Sequence, residues 1–333
     1  MPAIHKQRIE NALSMKPTDR LPYSMWMHFP NRDRHPRRLA ELSLAYQKRY
    51  DLDFIKFMPY GLFSTVDFGL DLEVFSGFEN PPVASMPLIK KSVDWDKLRP
   101  VSGTEGEYAV ILEAQRLALS MMDESIPIIQ TVFSPMTTAL KLSSIETVIA
   151  HANEVPYKLH NALEIITETT ARFAKAAVSQ GADGIFFASQ ISRRNIIDKK
   201  THDEFVRRYD LEILSTIKGK TWFNVHHIHG RQGMVKELLD YPVQAISWHD
   251  RDGGPSMAEV RKHSKKAFIG GLNHRNSWRT KSDKDVADEI RNTVAINSDL
   301  GIIFGPCCVI DPTTPSRHLD LVYRAILETA HSG

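Results

Sequence analysis

Short apolar runs that alternate with longer helical patterns constrain the fold of this chain more than any other feature. Eight runs are rich in β-branched or aromatic residues and have the length of strands, at residues 21–28, 52–58, 126–133, 184–188, 222–227, 243–248, 267–272 and 301–305. Most of the intervals between them have the apolar period of a helix. Eight strands, each followed by a crossover helix, predict an α/β fold built as a single closed parallel (β/α)8 barrel, the TIM barrel.

The helical patterns are bounded by residues that commonly begin or end helices. Pro156 separates two patterns, while Gly181 and Gly219 end patterns just before strands. The predicted helices are 37–49, 107–122, 157–179, 201–218, 232–240, 257–264, 282–297 and 314–331. The interval 59–106 is too long for one crossover, and we interpret it as a lid-like excursion from one domain that spans residues 1–333.

Composition argues against a nucleic-acid partner or a membrane. The 333 residues include 42 Lys and Arg against 40 Asp and Glu, so no net field attracts a polyanion or a membrane surface. No stretch approaches the roughly 18 apolar residues of a membrane span, and the N-terminal segment lacks the apolar centre of a signal peptide. The only two cysteines are adjacent, and adjacent cysteines cannot staple a fold. We therefore expect a cytoplasmic protein.

Polar groups follow the predicted strands at the points where they end. In a barrel of this kind the active site forms at the carboxyl ends of the strands. In strand order, the groups at this rim are His28, Asp67, Ser134, Ser189 with Gln190, His227 with His229, His249 with Asp250, Asn273, and Cys308. This concentration of histidine and cysteine at one end of the barrel favours a metal site.

The segment HHIHG at 226–230 and the pair Cys307–Cys308 supply the strongest candidate ligands. Successive side chains of a strand alternate, so His227 and His229 face one side and His226 faces the other. Imidazole and thiolate are the side chains that bind zinc best, and three of them with an open fourth position form a catalytic site for water or a substrate thiol. The alternative is a set of hydrogen-bonded rim residues without a metal. Alternation does not decide whether Cys307 or Cys308 faces the site.

Other rim residues have weaker signals. His249 and Asp250 are candidates for acid/base catalysis, or for a pair that braces the loop. The arginines that follow the first strand, above all Arg32 and Arg34, are candidates for binding a small anionic substrate together with His28, Ser189, Gln190 and Asn273. Asp67 is a weaker catalytic candidate, because a turn aspartate is the better explanation of this residue. Neither a phosphate-binding loop nor a serine-hydrolase elbow is present.

Four segments carry a resemblance to a known family. They are DRLP at 19–22, DFIK at 53–56, GADG at 181–184 and PCCVIDPTTP at 306–315. On these segments the chain resembles the uroporphyrinogen decarboxylase superfamily over nearly its whole length. The final segment is similar to the closing motif of the superfamily's zinc methyltransferases, which act on corrinoid proteins and coenzyme M.

The resemblance implies a function and a ligand set. In the zinc methyltransferases a His-x-Cys pair ends strand five and one Cys follows strand eight. His227 matches the histidine, Cys308 matches the second cysteine, and His229 stands where the first cysteine would be. The implied enzyme binds Zn²⁺, or another transition metal, and transfers a methyl or alkyl group to or from an activated thiolate. A corrinoid or folate methyl carrier, a corrinoid protein partner and a homodimer are implied with it.

The resemblance to the true decarboxylases is weaker. Their strand-one loop carries a Met-Arg-Gln-Ala-Gly-Arg-Tyr motif that holds the carboxylates of the tetrapyrrole, whereas residues 27–32 here are MHFPNR. Cofactor-free decarboxylation of a carboxylated tetrapyrrole, with Asp67 near the reacting ring, is therefore the alternative function. A non-catalytic barrel that binds a small molecule or a corrinoid protein is the second alternative.

Overall fold

The computed structural model describes residues 4–75, 80–122, 125–273, 281–296 and 300–331. Its strands, in chain order, are β1 Ile55–Phe57, β2 Leu72–Glu73, β3 Val83–Ala84, β4 Ile128–Phe133, β5 Gly184–Ser189, β6 Val225–Ile228, β7 Ala245–Trp248, β8 Ala267–Leu272 and β9 Ile302–Pro306. Seven of them form one parallel sheet in the order β1-β4-β5-β6-β7-β8-β9, and β2 pairs with β3 in a separate antiparallel pair. The strand order follows the chain order, as in a barrel.

An extended segment at residues 21–28 closes the sheet. Tyr23 pairs in parallel with Phe304 and Met27 with Ile310, both as isolated bridges. On its other flank the segment accepts a hydrogen bond of 2.9 Å from the Asp53 amide to the Tyr23 carbonyl. It therefore fills the eighth strand position, and the fold is a (β/α)8 barrel, as predicted. The regular strand expected at 21–28 is not formed, because Pro22 has no amide hydrogen for a continuous ladder.

The helices surround the barrel. They are α1 Ile4–Leu13, α2 Pro36–Tyr50, α3 Phe63–Val66, α4 Gly106–Met121, α5 Pro135–Leu142, α6 Ile145–Glu154, α7 Pro156–Ser179, α8 Lys199–His202, α9 Arg208–Thr216, α10 Met257–Arg261, α11 Asp283–Ile296 and α12 Ser316–Glu328. A π-helical turn at Asp203–Arg207 joins α8 to α9. Within the described ranges, no helix combines the length and the apolar character needed to cross a membrane.

The helix predicted at 232–240 is wrong. The structure has only a 3-10 turn there, Lys236–Leu238. Gln232 has a φ of 57°, and Gly233 pairs with Arg193 in an antiparallel bridge, so the chain is not helical where the predicted helix begins. The apolar period of this segment reflects side chains such as Met234 and Val235, which are buried in the hydrophobic core without a helix.

The long interval 59–106 contains α3, the β2–β3 pair and a 3-10 turn at Ser92–Lys97. Trp95, in that turn, is buried, and its indole nitrogen donates a hydrogen bond of 2.9 Å to His151 on α6. The interval is thus attached to the helical layer at one point at least. Its movement as a lid stays a prediction.

Buried ions fasten α1 to the lower end of the barrel. Asp53 is fully buried and accepts hydrogen bonds from Arg8, at 3.0 Å, and from Arg20, at 2.6 Å, as well as from the Tyr23 amide at 2.9 Å. A buried carboxylate is tolerated when charged hydrogen bonds replace its hydration in this way. The segments DRLP and DFIK thus meet in one ion cluster that anchors the closing segment.

Apolar side chains fill the lower part of the barrel interior. Phe54, Ile129, Phe223, Ala245 and Ile303 are all buried there and belong to one packed cluster. They come from alternate positions of the strands, as the inward-facing residues of a barrel must. Polar side chains at the upper end of the interior therefore lie on an apolar floor.

Candidate metal centre

Strand β6 carries His227 to the upper end of the barrel interior. His227 pairs in register with Ala188 on β5 and Ser247 on β7, so these three residues face the same side of the sheet. Burial lowers the pKa of His227 well below its usual value, and the neighbouring His229 and His249 lower it further. The ring is therefore neutral, which is the form that binds metals.

Four side chains bring potential metal-binding atoms to one point. His227, His229, His249 and Cys308 each offer one such atom, and these atoms all lie within 4.8 Å of one another. The Cys308 Sγ lies 3.3 Å from the His229 Nδ1. The three imidazole rings have centroid separations of 4.9 to 6.1 Å. The structure thus brings together residues from the ends of β6, β7 and β9.

This donor set fits a zinc ion. Donor atoms around a tetrahedral zinc, with bonds of about 2.0–2.3 Å, lie about 3.3–3.8 Å apart, which is within the spread of the four atoms here. His227 has its Nδ1 3.1 Å from the Ser247 hydroxyl, and the His249 Nδ1 lies 3.6 Å from the Asp252 carboxylate. Such contacts hold the second nitrogen of a metal-binding histidine in place. In His227 the Nε2 is then left for an ion, whereas the 3.6 Å separation at His249 is longer than a hydrogen bond.

The two adjacent cysteines face different partners. Cys308 faces the histidines, whereas Cys307 is buried and donates a hydrogen bond of 2.9 Å from its thiol to Asp250. Burial raises the pKa of the Cys307 thiol well above its usual value, and the neighbouring Asp250 raises it further. Asp250 also accepts a hydrogen bond of 3.2 Å from the Gly271 amide, and burial raises its pKa. The carboxylate of Asp250 is thus directed at Cys307 and β8.

The residues predicted to bind substrate do not all face the barrel interior. Ser189 pairs with Ile228, one position beyond the inward-facing Ala188, so it faces outward. Its hydroxyl lies 2.6 Å from Ser192, which in turn contacts His202 at 2.9 Å. The backbone amide of Gln190 donates a hydrogen bond of 2.9 Å to the Thr137 hydroxyl. Asn273 follows β8 directly.

The arginines after the closing segment also differ in position. Arg32 is exposed, whereas Arg34 is half-buried with its guanidinium 5.7 Å from the Tyr60 ring centroid. His28 has its Nδ1 3.5 Å from the buried carboxylate of Asp33. Arg34 and His28 thus each lie beside another side chain near the rim.

Asp67 lies at the start of a helix. Its carboxylate accepts hydrogen bonds from the amides of Glu107, at 2.9 Å, and Tyr108, at 3.2 Å, in the first turn of α4. A carboxylate there satisfies amides that have no partner within the helix and interacts favourably with the helix dipole. This contact explains the residue without a catalytic role, which stays a prediction.

Lys56 is a residue of the barrel interior that the sequence analysis did not select. It lies on β1 and is 9% exposed, with its Nζ 4.1 Å from the Phe186 ring centroid. Burial lowers the pKa of Lys56 to about 7, and the charge of Cys308 opposes that shift. The signal was present in the sequence, since Lys56 is the charged residue between the inward positions of Phe54 and Met58 in an otherwise apolar run.

Comparison with known proteins agrees with this fold. The chain is 22% identical to the methylcobamide:CoM methyltransferase MtaA of Methanosarcina barkeri over 337 residues, which cover 96% of each chain. It is 22% identical to MtbA of Methanosarcina acetivorans, another methylcobamide:CoM methyltransferase, over 94% of this chain and 95% of that one.

Solved structures give the same result for the fold. A methyltransferase from Methanosarcina mazei superposes with a TM-score of 0.83 at 20% identity, over 97% of this chain and 98% of the other. A B12-independent methionine synthase from Shewanella superposes with a TM-score of 0.60 at 14% identity, over 94% and 97% of the two chains.

The family follows from the sequence match. The family model for uroporphyrinogen decarboxylase (URO-D) matches residues 5–329, which is almost the whole chain. The chain therefore belongs to the uroporphyrinogen decarboxylase family, and the curated relatives it resembles are methyltransferases.

Proposed function

We propose that this protein is a zinc-dependent methyltransferase that moves a methyl group between a carrier and a thiol. The observation that carries the proposal is the group of four metal-binding atoms within 4.8 Å of one another at the mouth of the barrel. The methylcobamide:CoM methyltransferases to which the chain is similar support methyl transfer and a thiol acceptor. They also support a corrinoid protein as the methyl donor.

His227, His229 and Cys308 would hold the metal, with His249 within reach as a fourth ligand. When bound, zinc would lower the pKa of a substrate thiol and keep it as the nucleophilic thiolate. Three neutral imidazoles and one thiolate leave the site with net positive charge. The chain's own contribution is to orient these ligands through Ser247 and Asp252.

The proposed transfer conserves atoms and charge. The thiolate sulfur supplies an electron pair to the methyl carbon, so that a sulfur–carbon bond forms. The bond between the methyl carbon and the carrier breaks, and its electron pair stays with the carrier. His229 and Cys308 are half-buried whereas His227 and His249 are buried, so a methyl carrier would approach the site from the side of His229 and Cys308.

The two alternative functions receive less support. Decarboxylation of a tetrapyrrole depended on Asp67, whose carboxylate is bound by two helix amides. A non-catalytic barrel would have no need of three histidines and a cysteine that converge on one point. Both alternatives are outcomes of the experiment below.

Metal analysis and a methyl-transfer assay test the proposal. Protein purified without chelator should contain about one zinc per chain. It should also methylate 2-mercaptoethanesulfonate with methylcobalamin as the donor. His227→Ala and Cys308→Ala should each lose zinc and activity. The matched variants His263→Ala, at an exposed histidine, and Cys307→Ala, at the neighbouring thiol, should keep zinc.

The contrary results are equally distinct. Protein that transfers methyl groups at the full rate after its zinc has been removed would overturn the proposed metal dependence. Consumption of uroporphyrinogen by metal-free protein would support the decarboxylase instead. Ligand binding that survives the His227→Ala and Cys308→Ala substitutions, without turnover, would support the non-catalytic barrel.

A further inference from the structure

The rim of the barrel carries an arginine beside the candidate metal centre. Arg193 belongs to the loop that follows β5, and it pairs with Gly233 in an antiparallel bridge to the loop that follows β6. A Cβ at Gly230 would lie 2.6 Å from the Arg193 Cδ, so this side chain packs directly on the residue that follows His229. The half-buried guanidinium is thus held against the loop that carries one of the candidate metal ligands.

The guanidinium of Arg193 forms no hydrogen bond or ion pair with the residues that the structure describes. Its Nε is fully buried and has no hydrogen-bond partner. Burial lowers the pKa of Arg193, and within the described ranges no neighbouring charge counters that shift. An arginine nevertheless keeps its proton, so a positive charge is held partly out of water with nothing to offset it. A ligand of opposite charge would supply the missing partner.

Two other arginines of this rim are paired within the protein. Arg194, the next residue along the chain, donates hydrogen bonds of 2.9 and 2.7 Å to the two oxygens of Glu237. Arg231, on the loop after β6, lies 2.7 Å from the Asp252 carboxylate. Both of these charges are therefore neutralised by a neighbouring side chain. The contrast leaves Arg193 as the guanidinium of these three that is open to a ligand.

We infer that Arg193 binds a carboxylate of the methyl donor when the donor docks at the rim. The stem of Arg193 packs on Gly230 and its Nε is buried, so the carboxylate would be bound through the two terminal nitrogens. Because Gly230 follows His229 directly, a donor held by Arg193 lies next to the metal-binding atoms. This inference rests on the proposed function, because that function supplies the methyl donor.

The carboxylate can come from either of two kinds of methyl donor. A cobamide has amides in place of free acids, and its phosphodiester lies on the face of the ring opposite to the methyl group. For a corrinoid donor, the carboxylate would therefore belong to an aspartate or glutamate of the protein that carries it. A folate-type carrier has glutamate carboxylates of its own. The two sources share the same chemistry at Arg193, and separate probes distinguish them.

Titration of the protein, purified without chelator, with two kinds of probe tests the site. The first probe is 5-methyltetrahydrofolate, compared with 5-methyltetrahydropteroate, which lacks the glutamate. The second is a fluorescein-labelled hexaglutamate peptide, which represents an acidic protein surface. Arg193→Met keeps an unbranched apolar stem over Gly230 and removes the charge. It should weaken binding of the probe that supplies the carboxylate roughly 10- to 100-fold, the value of a hydrogen bond to a charged group.

The neighbouring arginine provides the matched control. Arg194→Met removes the same charge from the next residue, where Glu237 already neutralises it, and should bind both probes like the parent protein. Arg193→Lys should retain part of the binding, because its charge remains but its two parallel donors are lost. Free methylcobalamin carries no carboxylate, so Arg193→Met should use it at the parental rate.

The outcomes separate the two sources and also separate this inference from the proposed function. Weaker binding of 5-methyltetrahydrofolate by Arg193→Met, with 5-methyltetrahydropteroate unaffected, assigns the carboxylate to a folate-type carrier. Weaker binding of hexaglutamate alone assigns it to a carrier protein. Failure of the parent protein to bind either probe, or equal binding by Arg193→Met and the parent, overturns the inference.

A protein without zinc or methyl transfer, whose binding of a probe still depends on Arg193, would retain the carboxylate site and lose the proposed function. Should Arg193→Met not fold, Arg193→Gln provides the same comparison with a polar, uncharged side chain.

Discussion

At the scale of single residues, Ser247 makes a contact whose value can be measured. Its hydroxyl is fully buried and lies 3.1 Å from the Nδ1 of His227, so it fixes the ring with Nε2 toward the other donors. Ser247→Ala should lower zinc affinity about 10-fold, because contacts of this kind are worth about 10- to 100-fold in metal affinity. Competition with a chromophoric chelator measures the change.

A second serine provides the control for this prediction. Ser192 is also buried and lies 2.9 Å from a histidine, His202, which is not part of the donor cluster. Ser192→Ala should therefore leave zinc affinity unchanged. Equal zinc affinity in Ser247→Ala and the parent protein would show that the serine does not orient His227.

The sequence predicted part of this site, and the reason for the limit is geometric. Strand alternation put His227 and His229 on one side and His226 on the other. It could not choose between Cys307 and Cys308, because both follow the end of β9, where the chain has left the sheet. The same limit applies to His249, which was predicted as an acid or base and lies within the cluster of potential metal-binding atoms.

At the scale of elements, the first turn of α4 depends on a side chain far away in the sequence. Asp67 accepts hydrogen bonds from the Glu107 and Tyr108 amides, at 2.9 and 3.2 Å. Asp67→Ala should lower the free energy of unfolding by about 0.5–2 kcal/mol, the usual cost of losing a helix cap. Asp67→Asn should cost less, because its amide oxygen remains an acceptor. Urea unfolding measures both.

The same pair of variants examines the catalytic role expected for Asp67. A residue that only caps the helix should leave the methyl-transfer rate of Asp67→Asn equal to that of the parent. Loss of turnover in Asp67→Asn, with unfolding unchanged, would support catalysis by the carboxylate.

Elements with a strong period were predicted well, and the exceptions have local causes. The predicted helix 157–179 matches Pro156–Ser179 and the predicted strand 267–272 matches Ala267–Leu272. The helix predicted at 232–240 was wrong because burial of Met234 and Val235 mimics the period of a helix. The strand at 21–28 was predicted from its apolar residues. Apolar character does not show how many backbone amides will form hydrogen bonds to a neighbouring strand.

At the scale of the whole molecule, buried histidines make stability depend on pH. Burial lowers the pKa of His202 from 6.5 to about 4. Between those values the unfolded chain takes up a proton that the folded protein rejects, so the stabilisation is complete above about pH 6.5 and is lost as the pH falls toward 4. In this interval the free energy of unfolding should rise with pH by up to about 1.4 kcal/mol per pH unit because of His202, and His202→Gln should remove that contribution.

Urea unfolding at several pH values between about 4 and 7.5 measures that slope. Burial raises the pKa of Asp210 to about 7, which gives the opposite slope, but this contribution is common to both proteins and cancels in the difference. His263→Gln, at an exposed histidine, should leave the slope as it is in the parent. An identical slope in His202→Gln would refute the neutral, buried state assigned to His202.

The contact between the closing segment and β9 is also a weakly paired part of the barrel wall. Five registered residue pairs join β4 to β5, whereas two isolated bridges join the closing segment to the other end of the sheet. Separating the closing segment from β9 breaks fewer residue pairs than separating β4 from β5. The ion cluster around Asp53 holds only the lower end of the closing segment. We therefore expect local opening of the barrel wall to begin between the closing segment and Phe304 and Ile310, while His227 and His249, at the ends of β6 and β7 in the middle of the sheet, keep their places.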